Sequence, residues 1–146
     1  MHLITATEKN IEQLTPLFDG YRMFYKQPSN LKAAREFLLD RFQKKDSVVF
    51  MVIGKDGGAL GFTQLYPLFS SVSMQRTYVL NDLFVSEDSR GQGIGEALMK
   101  HAQGFAEETG SKGLTLETAI DNPAQHLYRK LGWVQDTAVN HYTWEV

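Results

Sequence analysis

The stretch from Tyr78 to Glu96 limits what this chain can fold into more than any other. It reads Tyr-Val-Leu-Asn-Asp-Leu-Phe-Val, then Ser-Glu-Asp-Ser-Arg, then Gly-Gln-Gly-Ile-Gly-Glu. Apart from Asn81 and Asp82 its first eight residues are apolar, which suits a strand covered on both faces. Ser86 to Ser89 have loop composition. Gly91, Gly93 and Gly95 follow at alternate positions, and Ile94, Leu98, Ala102 and Phe105 then share one face at helical spacing. The unit is strand, glycine-rich turn, helix. At such a turn the backbone N–H groups are bare and the positive end of the helix dipole points outward, which makes an anion site and most often a phosphate site.

Spacing separates the phosphate ligands. The nucleotide-hydrolase loop needs Gly-x-x-x-x-Gly-Lys-Ser/Thr, and no Lys-Ser/Thr pair stands here. The dinucleotide fingerprint Gly-x-Gly-x-x-Gly is met by Gly91 and Gly93 but fails at Glu96. What remains is Arg90-x-x-Gly93-x-Gly95 behind a Leu-Phe-Val strand end. That pattern resembles the GNAT superfamily of N-acetyltransferases. The resemblance implies that the loop of Arg90, Gly91, Gln92, Gly93, Ile94, Gly95 and Glu96 wraps the pyrophosphate of acetyl-coenzyme A. It also implies that the backbone of Leu83, Phe84 and Val85 takes the pantetheine arm, where the central strand parts from its neighbour.

The 146 residues fit one domain, expected over 1–146, and 42% hydrophobic residues suffice for a core. A formal charge of −2 gives no basic field for nucleic acid or an anionic membrane. With no cysteine, disulfides, thiolate catalysis and thiolate metal sites are excluded. His2, His101, His126 and His141 are scattered and form no ligand spacing, so no metal is expected. No apolar run approaches a membrane span and no signal-type segment follows Met1, so a cytoplasmic protein is expected.

In chain order, His2 to Ala6 reads as a strand. Asn10 with Gln13 reads as a helix-capping pair, and Ile11, Leu14, Phe18, Tyr21 and Tyr25 line a first helix that Pro16 should kink or open. A second helix runs from Leu31 to about Lys44, ahead of a strand over Ser47–Ile53. Lys55 to Gly58 is a hairpin turn, and Ala59 to about Ser70 a strand in which Pro67 calls for a bulge, bend or edge. After the central unit, Gly110 stops the helix and Leu114–Thr118 is a short strand. Asn122, Pro123 and Gln125 open a last helix that Gly132 ends. Trp133–Asp136 and Asn140–Glu145 are expected as a final antiparallel pair. The order describes an α/β (α+β) fold with a mixed sheet and helices on both faces. It matches the GNAT order, in which the sheet is mostly antiparallel with splayed central strands.

Acyl transfer to an amine requires loss of the ammonium proton, stabilisation of an oxyanion and protonation of the leaving thiolate. The run Asn122-Pro-Ala-Gln-His-Leu-Tyr128-Arg-Lys-Leu-Gly-Trp133 is similar to the family's Asn-x-x-Ala-x-x-Leu-Tyr-x-x-x-Gly-Phe helix, one residue short between Asn122 and Ala124. The resemblance makes Tyr128 the general acid and Asn122 a cofactor-side residue, and a backbone N–H near Leu83 the oxyanion donor. For the base, related polyamine enzymes carry Glu-Asp where this chain has Asn81-Asp82. Asn81 takes no proton, which leaves Asp82, Glu117 or a water chain. Asp82 in an apolar strand should be desolvated and its pKa raised. Tyr21, Phe24, Tyr25 and Tyr66 are acceptor-pocket candidates, since aromatic faces suit a cationic amine. The function implied is direct acetyl transfer from acetyl-coenzyme A to a primary amine. The partner expected is a small-molecule amine, with self-association into a homodimer open. The alternative is a non-catalytic coenzyme-A-binding module.

Overall fold

A computed structural model describes all 146 residues. Its elements are β1 (His2–Thr5), α1 (Ile11–Phe24), α2 (Leu31–Lys44), β2 (Val48–Ile53), β3 (Ala59–Ser70), β4 (Gln75–Val85), α3 (Ile94–Glu108), β5 (Leu114–Thr115) and α4 (Gln125–Lys130). The five strands form one sheet in the order β1-β2-β3-β4-β5, antiparallel except for the β4–β5 pair. The α/β class and the mostly antiparallel sheet match the expectation. β2–β3 and β3–β4 are hairpins with short links, β1 and β2 are antiparallel across the long connection that carries α1 and α2, and the parallel β5 needs a crossover, which α3 supplies.

The sheet carries an apolar cluster on each face. Leu14, Phe18, Ala34 and Leu38 of the first two helices pack with Val49, Met51 and Phe62 on one side. Ile94, Leu98, Met99 and Ala102 of α3 pack with Phe50, Leu65, Tyr78 and Leu80 on the other. β2 contributes to both clusters, so its continuous apolar run is the pattern of a strand buried on two faces.

A bulge in β4 decides which side chains face which helix. Gln64 pairs with Asp82 and Leu65 with Leu80, so Asn81 is an extra residue in its strand. One extra residue exchanges the faces of a period-2 strand. Tyr78 and Leu80 face α3 before the bulge, and Leu83 and Val85 face it afterwards. Phe84 packs instead on the α1 side, against the other cluster.

Several local expectations change. Helical geometry begins at a 3-10 turn over Glu8–Asn10, capped by Thr7, whose N–H donates to Asn10 Oδ1 at 2.9 Å. The cap thus lies one turn before the Asn10–Gln13 pair. Pro16 sits inside α1 and does not open it. Pairing of β2 with β3 ends at Val48–Leu65, so Pro67 lies past β2, on a free edge that asks nothing of its missing N–H. The strand expected over Leu114–Thr118 shortens to Leu114–Thr115 because the chain leaves β4 after Thr115. The last helix begins at Gln125, since the Asn122 carboxamide oxygen accepts the Ala124 N–H at 2.9 Å and holds residues 122–124 in a turn. The final antiparallel pair does not form, and residues 133–146 belong to no helix or strand. No helix is long and apolar enough to cross a membrane.

Gly61 shows how tightly β3, β4 and α3 meet. A Cβ there would lie 2.9 Å from the Phe84 carbonyl oxygen and 3.1 Å from the Ile94 Cγ2. Gly61→Ala should therefore cost about 1–3 kcal/mol by overpacking, a fall in Tm of roughly 3–10 °C. Gly104, helical and with open space around a Cβ, is the control: Gly104→Ala should stabilise by about 0.5–1 kcal/mol. Thermal melts of the two variants check both signs.

Candidate active site

β4 and β5 pair only at Tyr78–Leu114 and Val79–Thr115 and then separate. A cleft of about 250 Å³ opens where they part. One wall is β4 with Leu83, Phe84 and Val85, the opposite wall is Leu116, Glu117 and Thr118, and Tyr128 and Asn122 close one side. Phe24 and Tyr25, at the end of α1, stand at the cleft, as does Arg90.

The glycine loop bounds the site at the start of α3. Gly91 and Gly93 have φ of +76° and +77°, the left-handed region that glycine enters without strain. A Cβ at either position would meet nothing within 4 Å, so the loop's outer surface is open. No backbone N–H from Gly91 to Glu96 donates to an acceptor within the protein. An open run of free donors at a helix N-terminus fits a pyrophosphate. Ile94 turns its side chain into the core, where it is buried. The Glu96 carboxylate bonds Lys100 at 2.8 Å and Lys130 at 2.7 Å, and those ammonium partners hold its pKa down at about 2. It thereby ties α4 to the start of α3. Arg90 Nε donates to the Val85 carbonyl at 3.1 Å, and its guanidinium lies over the Phe84 ring at 5.7 Å. The arginine joins the loop to the end of β4.

Tyr128 is half-buried, and burial raises its phenol pKa, moderated by Thr118 and raised a little further by Tyr25. The phenol is therefore fully protonated at neutral pH. Its helix is anchored at the start by Asn122, whose amide donates to the Thr118 hydroxyl at 2.9 Å.

The base candidates differ in position. Asp82 is 1% exposed and is not among the cleft-lining residues. Its Oδ2 accepts from Gln64 Nε2 at 2.7 Å and its Oδ1 from Asn81 Nδ2 at 2.8 Å. Burial raises its pKa, and the two amide donors only partly offset this. Glu117 lines the cleft and is exposed. Among the aromatic candidates, Phe24 and Tyr25 reach the cleft while Tyr21 and Tyr66 lie outside its lining. Tyr21 acts on the site indirectly: its hydroxyl donates to the carbonyl of the bulged Asn81 at 3.0 Å. Burial, then the Asp82 charge, raises the pKa of both phenols, Tyr21 and Tyr66. Neither Gln64 nor the Tyr21–Asn81 bond is legible in the sequence, because the first depends on the β3–β4 register and the second on the packing of α1 against β4.

The family model described as the acetyltransferase (GNAT) family matches residues 13–133. The chain belongs to the GNAT family of acetyltransferases. It is 43% identical over 143 residues to the uncharacterised N-acetyltransferase YhfO of Bacillus subtilis, covering 97% of this chain and 95% of that one. It is 37% identical over 119 residues to a probable acetyltransferase of Haemophilus influenzae, covering 82% of each. A crystal structure of a probable acetyltransferase superposes with a TM-score of 0.95 at 36% identity, covering 100% of this chain and 98% of that one. This GNAT protein is thus an acetyltransferase, and its family uses acetyl-coenzyme A as cosubstrate.

A pH-dependent stability follows from Asp82. Its native pKa lies above the unfolded value, so the native state holds the extra proton between the two. Wild-type stability therefore falls as pH rises through that window. In Asp82→Asn, Gln64 can turn its amide, because its Oε1 is buried without a partner and would accept from the new Asn. The variant should melt higher than wild type at neutral pH, with the gain fading as pH falls through the window. Thermal melts across pH 4–8 check this, and a variant less stable at neutral pH would contradict it.

Proposed function

We propose that this acetyltransferase transfers acetyl directly from acetyl-coenzyme A to the primary amine of a small molecule in the cleft between β4 and the 116–118 segment. The observation that carries the reading is the parting of β4 from β5 between the open glycine loop and Tyr128. The cosubstrate supplies an activated acetyl thioester. The chain's own residues do the rest.

The N–H groups of Gly91 to Glu96 hold the pyrophosphate at the positive end of α3, and Arg90 steadies the loop against β4. Leu83, Phe84 and Val85 offer their backbone to the pantetheine arm along the unpaired edge of β4, and Asn122 orients Tyr128. A β4 N–H near Leu83 stabilises the oxyanion that develops on attack. Tyr128 gives its proton to the departing sulfur. Burial keeps the phenol protonated, so it is there to donate as the sulfur's charge develops. Because its pKa stands above the ordinary thiol value of about 8.5, the transfer completes only as the attacking nitrogen releases its remaining proton to the tyrosinate and restores the phenol.

The amine must lose a proton before attack. Glu117, the carboxylate that lines the cleft, passes this proton to water. Asp82, enclosed by Gln64 and Asn81, acts at one remove by holding the bulge. The faces of Phe24 and Tyr25 with the Glu117 charge favour a small cationic acceptor.

Tyr128→Phe leaves the ring, its packing and the binding surface in place. Its kcat should fall about a hundredfold, at the low end for general acid catalysis because a thiolate leaves readily, with the KM for acetyl-coenzyme A nearly unchanged. Thiol release measured across a panel of small amines supplies the readout. A variant keeping more than about half the wild-type kcat, with chemistry rate-limiting, would remove Tyr128 as the acid.

A further inference from the structure

We infer that the acceptor is a primary monoamine carried on an aromatic body, with neither a carboxylate nor a second ammonium group. The inference rests on the reaction proposed above and names the class of amine that the same cleft takes. That reaction gives the β4 wall from Leu83 onward, the glycine loop and Tyr128 to the cosubstrate. The part left for an acceptor begins where the strands separate. Val79 and Thr115 are the last paired positions, so Asn81 and Glu117 each stand two residues beyond them, one on each wall. Phe24 and Tyr25 reach the same cleft from the end of α1.

The charges at this end exclude two classes of amine. Glu117 is the one carboxylate that lines the cleft. Asp82 adds none, because it is enclosed and already accepts from Gln64 and Asn81. Asn81 is neutral. Its Nδ2 donates to Asp82 at 2.8 Å, which orients the carboxamide and leaves its oxygen without a donor from the protein. The site thus offers one negative charge and one amide oxygen, a set that suits a single ammonium group. The second ammonium of a diamine would find no carboxylate to meet it. An amino acid fails for the opposite reason. Arg90 is the only cation in the lining, and it is engaged by the Val85 carbonyl and the Phe84 ring at the far end of the cleft. His141 stands 3.3 Å from Glu117, so any charge it carries answers that carboxylate. An acceptor's own carboxylate would face Glu117 with no free cation to offset the repulsion.

The rings supply the rest of the recognition. Phe24 is 60% and Tyr25 51% exposed, and they meet edge to face at 5.3 Å and 82°. Tyr21 backs Tyr25 at 5.1 Å, and its hydroxyl bonds the carbonyl of the bulged Asn81. The aromatic pair is therefore held against the strand that forms the cleft wall. Aromatic surface left wet at the mouth of a cleft is covered when a ligand with a complementary body arrives. An amine directed to Asn81 and Glu117 lays its body against these rings, where an aromatic group covers them and a short alkyl chain does not.

The test compares amines that share a skeleton. By thiol release, kcat/KM should be at least about tenfold higher for phenethylamine than for free phenylalanine, which adds a carboxylate. Cadaverine, which adds a second ammonium to pentylamine, should be no better than pentylamine. Phe24→Ala should raise the KM for phenethylamine at least about tenfold, as loss of an aromatic anchor does, with the KM for propylamine and for acetyl-coenzyme A nearly unchanged. Cadaverine turned over ahead of pentylamine, or phenylalanine level with phenethylamine, would overturn the inference. So would a Phe24→Ala variant that weakens propylamine and phenethylamine equally. Calorimetric titration of the same amines onto the protein saturated with coenzyme A separates this inference from the reaction beneath it. Preferred binding of phenethylamine without thiol release from any amine would overturn the reaction and support the site. Thiol release with the diamine or the amino acid preferred would overturn the inference and leave the reaction standing.

Discussion

The structure depends on two strands that start as partners and part. β4 and β5 share two paired positions, and beyond them the edge of β4 that faces β5 carries backbone groups with no strand beside it. An open sheet edge inside a protein is costly unless something else satisfies it. Here the gap is held open by what stands on either side. Asn122 fastens the turn that starts α4 to Thr118. The Glu96 carboxylate, with Lys130, ties the end of α4 to the start of α3, and Gln103 donates to the Leu131 carbonyl at 3.1 Å. A preformed gap of this kind offers main-chain donors and acceptors to an extended ligand at little reorganisation cost.

The bulge at Asn81 is the second part of the same device. It turns Leu83 and Val85 toward α3 and sends Asp82 to the opposite face, into a pocket of amides. The Tyr21 hydroxyl caps the bulged carbonyl, so α1 is fastened to the strand that forms the cleft wall. Buried polar groups that satisfy one another fix a single geometry, and this group does so next to the cleft. Asp82 is thereby enclosed away from the cleft, whereas the exposed Glu117 lines it, with His141 Nδ1 3.3 Å from its carboxylate.

Much of this is legible in the residues. The strand–glycine–helix unit is a local signal, because Gly91 and Gly93 need left-handed backbone and Ile94, Leu98 and Ala102 mark the helix face. The family follows from that signal, and the helices over Ile11–Phe24 and Leu31–Lys44 from apolar spacing. The bulge was not legible, because a strand's extra residue is defined only against its partner's register. For the same reason Asp82 reads as a cleft base in the sequence, while the structure encloses it between Gln64 and Asn81. The C-terminal pair failed in an instructive way: Asn140–Glu145 has the alternation of a strand, but alternation gives a strand its faces and not its partner.

On the proposed function, the glycine loop and the unpaired edge of β4 form one continuous binding track for acetyl-coenzyme A. The direct measurement is a titration of the isotope-labelled protein with coenzyme A, following backbone amide chemical shifts. The largest saturable shifts should fall on Gly91 to Glu96 and on Leu83 to Val85, with the same binding constant at both. Shifts confined to one of the two stretches, or centred elsewhere on the sheet, would contradict the account.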